Sequence, residues 1–144
     1  MAFKYRGFTL IELMVTIFVI AIIAVIAVPS FNQMIQKNQL KVELRELSAI
    51  LSQARSNAVL TRKVTKVNLD QSGTNDELTF FWKPSGNLVY KSSIADISFN
   101  SEGTVVGFTS DIDLSICHSK LSLQKTIALT RVGTLLEKAE GACT

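Results

Sequence analysis

An α+β fold is what this sequence predicts: one long N-terminal α-helix, its first half membrane-spanning, packed through its second half on a C-terminal domain of antiparallel β-strands. Three features predict it. From Phe8 to Val28 the residues are almost wholly Ile, Val, Ala, Leu, Met and Phe. From Leu40 onward, Leu44, Leu47, Leu51, Ala54 and Ala58 recur at intervals of four and three, an apolar stripe on one helix face. From Val64 the apolar period shortens to two, the mark of half-buried strands. These shifts divide the 144 residues into a leader (1–7), a transmembrane helix (8–28), its amphipathic continuation (29–61) and a β-rich domain (62–144).

The first helical segment has the length a bilayer demands, about 20 apolar residues. Its polar members are Thr9, Thr16 and one acid, Glu12. An ionised carboxylate inside such a run costs roughly 2.5–3.5 kcal/mol, so Glu12 is a functional candidate by default. A secretory signal peptide places its apolar region before the cleavage site and discards it. Here the apolar run follows the one suitable small residue, Gly7. A cut between Gly7 and Phe8 keeps the helix whole and creates an α-amino group on Phe8, four residues from Glu12. Pro29 marks a kink rather than a stop, with Ser30 placed to cap the restart. Lys41, Glu43, Arg45, Glu46 and Arg55 fall off the stripe and are expected to face water, while Arg62, Lys63 and Lys66 complement the helix dipole.

The β domain reads as a series of short strands. Val64–Leu69 alternates, 70–76 is turn-rich, and Leu78–Trp82 is aromatic and β-prone. A turn at 84–87 leads to Leu88–Tyr90, and Ile94–Phe99 alternates again before Ser101-Glu102-Gly103 turns the chain into a hairpin strand, Thr104–Phe108. Asp111–Cys117 is a strand, 119–125 a loop, and Ile127–Thr130 with Gly133–Leu136 a last hairpin. Lys4 and Arg6 hold the N-terminus on the cytoplasmic side, so the rest of the chain is translocated. Outside the cytoplasm Cys117 and Cys143 pair most simply as a structural disulfide, lacking the Cys-x-x-Cys spacing of a redox centre.

Charge excludes less than it first suggests. The formal +3 falls once Lys4 and Arg6 leave with the leader, when 13 basic side chains face 12 acidic ones. Such a balance gives no strong field and argues against nucleic acid as a general partner. A local patch of Lys120, Lys125, Arg131 and Lys138 is the alternative phosphate-binding surface. Phe80, Phe81 and Trp82 suit a core better than a stacking platform. Catalysis is not expected, because the single histidine, His118, neighbours a cysteine taken up by the disulfide. No ligand cluster for a metal and no phosphate-cradling loop can be assembled, and no cofactor is implied.

Gly7-Phe8-Thr9-Leu10-Ile11-Glu12-Leu13, with Pro29 ending the apolar run, resembles the class III leader and mature start of type IV pilins and type II secretion pseudopilins. The resemblance implies the pilin fold. It also implies cleavage between Gly7 and Phe8 by an inner-membrane prepilin peptidase, N-methylation of Phe8, and pairing of Glu12 with the Phe8 amine of a neighbouring subunit. The implied partners are other minor and major pilins and an inner-membrane assembly platform. The implied location is the inner membrane with a periplasmic β domain, then a pilus or pseudopilus.

Further along, Ile97–Thr104, Ile116-Cys117, Ile127–Gly133 and the terminal Cys143 are similar to the GspH/FimT-type minor pilins and pseudopilins. That subfamily holds tip initiators similar to FimU, the secretion pseudopilin GspH and the DNA-uptake pilin FimT. The last carries Gly-Arg-x-Arg near its C-terminus, where this chain reads Gly133-Thr134-Leu135-Leu136 without either arginine. A minor pilin of a pilus-tip complex, serving assembly, twitching and adhesion, is therefore the first expectation. A GspH-type pseudopilin and a DNA-binding pilin are the alternatives.

Overall fold

The computed structural model describes residues 8–143 and divides the chain into two units, Met1–Ile35 and Gln36–Thr144. One helix, α1, spans Leu10–Thr61 with Pro29 inside it and no break at Ser30, so Ser30 caps nothing. In the first unit every described side chain is exposed. A helix apolar on all sides has no face of its own to hide, unlike a striped one. The leader residues Lys4, Arg6 and Gly7 lie outside the described residues.

In the second unit the stripe of α1 is buried throughout: Leu40, Leu44, Leu47, Leu51, Ala54 and Ala58 form one side of the core. Full burial of one such leucine contributes roughly 1.5–3 kcal/mol, which is why this part of the helix needs no special propensity. Glu43 departs from the expectation that it faces water. It stands three residues after Leu40 and four before Leu47, inside the stripe, and only 6% of it is exposed. Its Oε1 accepts hydrogen bonds from the backbone N–H of Ser85, at 3.2 Å, and from the Ser85 hydroxyl. The carboxylate thereby holds the 84–87 turn against the helix.

The helix ends at Thr61, and Arg62 takes the left-handed conformation (φ 56°) common just past a helix C-terminus. The basic residues expected to serve the dipole are not in the last turn. Lys66 instead sits in a strand and pairs with Asp96 at 3.2 Å.

Two sheets cover the stripe. The first holds β1 (Thr65–Leu69), β2 (Thr79–Trp82) and β4 (Asp96–Phe99) in the order β2-β1-β4. The second holds β3 (Leu88–Tyr90), β5 (Ile112–His118), β6 (Leu123–Leu129) and β7 (Leu135–Glu137) in that order, with β8 (Gly141–Ala142) also paired to β6. Alternation places Val67, Leu69, Phe80, Trp82, Ile97 and Phe99 inward from the first sheet, and Leu114, Ile116, Ile127 and Leu129 from the second. Trp82 meets Tyr90 edge-to-face, ring centroids 5.9 Å apart, joining β2 to β3. Phe80 and Trp82 are core, and Phe81 between them is half-buried.

Three strand expectations are corrected. The β1–β2 pair is parallel, not antiparallel. Thr104–Phe108 forms no strand; only Val105 bridges to Phe99, and its N–H turns away to the Arg131 carbonyl at 2.9 Å. The 119–125 loop is shorter than expected, because Leu123 already opens β6 and seven register pairs tie β5 to β6.

Two similar turns close this end of the domain. Gly103 donates to the Asn100 carbonyl and Gly133 to the Thr130 carbonyl, both at 2.9 Å, and both glycines have positive φ (76° and 78°). Only glycine adopts this conformation without strain. Arg55 of α1 reaches both turns. Its Nε donates to the Gly103 carbonyl at 2.9 Å, and a Cβ on Gly133 would meet its side chain at 2.6 Å.

Candidate assembly site

Thr9 precedes the first helical residue and Glu12 lies three residues on, the spacing of a capping box. The carboxylate Oε2 accepts from the Thr9 backbone N–H at 3.5 Å and from its hydroxyl at 3.4 Å, while the Glu12 N–H donates to Thr9 Oγ1 at 3.3 Å. An acid in the first turn also complements the positive end of the helix dipole. Glu12 thus has a local role that the cost of its charge in lipid does not reveal. Among the described residues Oε1 accepts no hydrogen bond, which leaves that oxygen open to a donor from outside. Phe8, at the head of the apolar run, is exposed. Pro29 stands exposed within the unbroken helix.

The cysteines are joined: Cys117 at the end of β5 and Cys143 beside β8, Cα atoms 5.7 Å apart. The chain between them closes a loop with a sequence separation of 26. The Cys143 N–H also donates to the Ser122 carbonyl at 3.0 Å, so the tail is fixed by a covalent and a hydrogen bond to the β5–β6 hairpin. His118 is buried beside the disulfide, and neither ring nitrogen has a partner among the described residues. With Cys117 oxidised there is no thiol for it to activate.

The four cations of the proposed phosphate-binding patch are not brought together. Lys125 is only 7% exposed, and its Nζ lies 2.6 Å from Glu137 and 3.2 Å from Glu140. The Glu137 bond raises the Lys125 pKa, and the same pair lowers that of Glu137. Lys138 is held by Asp113 at 2.7 Å. Lys120 and Arg131 stand in the turns at opposite ends of β6, about 20 Å apart at ~3.3 Å per residue. A duplex or single strand would meet isolated charges, two of them already neutralised. Among the described residues no group of three His, Cys, Asp or Glu side chains could hold a metal ion.

Clefts also mark the surface of the described residues. One, of about 610 Å³, lies among the turns and is lined by Thr104, Val105, Phe108, Asp111, Thr130, Arg131 and Val132. Another, of about 550 Å³, runs between α1 and the β6–β7 hairpin.

Comparison with known proteins agrees with these features. Residues 3–28 match the family model of the prokaryotic N-terminal methylation motif. The chain is similar to the type IV major alpha-pilin of Moraxella bovis, 35% identical over 106 residues, taking in 69% of this chain and 65% of the relative. It is similar as well to a fimbrial protein of Pseudomonas aeruginosa, 32% identical over 100 residues, taking in 69% of this chain and 64% of the relative. The chain thus spans a little less than two thirds of the length of these relatives. Its fold is that of the type IV minor pilin FimU of Pseudomonas aeruginosa PAO1. One FimU crystal form superposes with a TM-score of 0.57 at 18% identity, covering 75% of this chain and 97% of FimU. A second crystal form gives 0.54 at 18% identity, covering 73% of this chain and all of that one. A methylation motif thus opens the apolar helix, the sequence relatives are pilins matched over a little less than two thirds of their length, and the fold is the pilin fold.

Proposed function

We propose that this chain is a minor type IV pilin, a structural subunit of a pilus-tip complex. On this reading it is made as a prepilin, cut between Gly7 and Phe8 by the inner-membrane prepilin peptidase and methylated on the Phe8 amine. It waits in the inner membrane with its β domain in the periplasm. The assembly platform then moves it into a filament of minor and major pilins.

One observation carries the reading. Every described side chain from Phe8 to Ile35 is exposed, nearly all are apolar up to Val28, and a lone carboxylate, Glu12, lies at the start. Apolar area on this scale is stable only in lipid or against other helices, and the same surface serves both in turn. Glu12 then sets the register. In a dry filament core an unpaired carboxylate and an unpaired amine each cost several kcal/mol, and they offset one another when they meet. The free Oε1 suits the Phe8 amine of the adjacent subunit, while Oε2 stays with Thr9.

The test is piliation of a Glu12→Ala strain. Cleavage should proceed and the subunit should accumulate in the envelope, with at least a roughly tenfold loss from sheared filaments, the equivalent of about 1.4 kcal/mol. Wild-type levels in the filament fraction would refute the register role. A deletion strain that twitches normally but fails to secrete exoproteins would move the chain to the pseudopilins.

A further inference from the structure

We infer that the end of the β domain at which α1 enters, marked by Lys37, Lys83 and Lys120, rests on the anionic headgroups of the bilayer that anchors the chain. This depends on the membrane-anchored reading above and names the surface that the waiting subunit turns to the lipid.

Strand direction and hydrogen bonds bring the three lysines to one end. Near the start of β6, Lys125 shares a cleft with Lys41 and Arg45, and past its far end Gly133 lies against Arg55. β6 therefore runs beside α1 in the same direction. About 10 Å of strand separates Lys125 from Ser122, the last residue of the β5–β6 turn, and ~9 Å of helix separates Glu43 from Lys37. Lys120, in that turn, thus stands at about the height of Lys37. The 84–87 turn is pinned to the same end. Ser85 donates to Glu43 Oε1 from its N–H at 3.2 Å and from its hydroxyl, and Ser119 Oγ donates to the Asn87 carbonyl at 3.4 Å. Lys83 lies just ahead of this turn.

All three lysines are exposed, and none forms an ion pair among the described residues. The nearby acids are already engaged. Glu43 is buried on Ser85, while Glu137 and Glu140 hold Lys125 and Glu137 also feels Lys41. At the opposite end charges of both signs mix, with Arg131 and Asp111 in one cleft and Glu102 beside Gly103. The entry end presents a field of one sign.

The chain itself delivers the occupant. Val28 and Lys37 are ~14 Å apart along α1. Between them Phe31, Met34 and Ile35 continue the exposed apolar surface. Such side chains settle at the boundary of headgroups and acyl chains, which brings Lys37 within a Debye length, about 8 Å, of lipid phosphates. A lysine ammonium on its flexible stem reaches that layer readily. Each cation so placed strengthens attraction to an anionic leaflet roughly fivefold. A free anion has no reason to gather at this end, whereas the bilayer is held there by the helix.

The test uses the full chain reconstituted in vesicles, with a photo-reactive residue in place of Ser119 or, at the opposite end, of Ser101. In vesicles of equal parts phosphatidylglycerol and phosphatidylcholine at low salt, residue 119 should crosslink to lipid about tenfold more than residue 101. Phosphatidylcholine alone, 0.5 M sodium chloride or K37Q/K83Q/K120Q should each remove most of that excess, about tenfold for the variant. The variant should keep its disulfide and thermal midpoint, since the three side chains are exposed and unpaired. If it does not fold, K120Q alone decides, with an expected loss of about threefold. Equal yields at the two positions, or yields indifferent to lipid charge or to the variants, would overturn the inference. So would a loss caused by orthophosphate but not by sodium chloride at the same ionic strength, the mark of a free-anion site. A parent chain that fails to float with either kind of vesicle would instead overturn the membrane-anchored reading.

Discussion

Between Phe8 and Ile35 every described side chain of the chain is exposed, whereas between Leu40 and Ala58 six apolar side chains are buried. The backbone does not distinguish the two regions, since α1 runs through both. The difference lies in the arrangement of the apolar residues. In the second region they fall on one face, and the strands that cover that face follow later in the same chain. In the first they occupy every face, so their partner has to be supplied from outside. A helix therefore records in its periodicity whether its own chain is meant to complete it.

The largest expected effect would break this comparison outright. Leu47→Ala should cost about 4 kcal/mol of unfolding free energy, as transfer and cavity terms combine at a fully buried site. Ile20→Ala, at an exposed site, should cost under about 0.5 kcal/mol in detergent. Equal effects in denaturant titrations would mean that the first region is also held by the chain itself. The double variant Cys117→Ser/Cys143→Ser should lower β-domain stability by about 3.5 kcal/mol, the chain-entropy value for this loop, and leave helical signal from the first region in place. Circular dichroism of micelle-bound protein would separate the two.

The smallest expected effect is on pH dependence. Burial lifts the Tyr90 pKa to about 12 from 10. In that window the unfolded chain has lost a proton that the folded domain still keeps, so stability is full below about pH 10 and declines as pH rises toward 12. Tyr90→Phe should flatten that decline, which alkaline melts of the two proteins would show.

How much was legible depends on the range of each interaction. The leucine stripe, the two-residue alternation of β1, β2 and β4, and the pairing of the cysteines follow from local pattern and compartment, and the structure has them. Glu43 was not legible. Its charge suggests water, while the Ser85 turn that satisfies it lies 42 residues away in sequence. The direction of β2 was hidden as well, because alternation marks a strand but says nothing of parallel or antiparallel pairing. The turn-rich link from Leu69 to Thr79 wraps back to start β2 alongside the start of β1. Lys125 looked like a surface cation because its partners Glu137 and Glu140 meet it only through the register of β6 with β7 and β8. The Thr9-x-x-Glu12 capping box was in plain view, overshadowed by the cost of an acid in lipid.

That same link leaves a mark on the rim of the smaller sheet. The outward N–H groups of Thr79 and Phe81 in β2 are taken by the side chains of Asp76, at 2.7 Å, and Asn75, at 2.8 Å, and the Thr79 carbonyl accepts from the Asp76 N–H at 2.9 Å. An unpaired rim of this sort is where foreign strands attach and aggregates begin. Here it is stoppered by the loop that precedes it. Even at high concentration this rim is therefore closed to a foreign strand, and association through it is left to side chains.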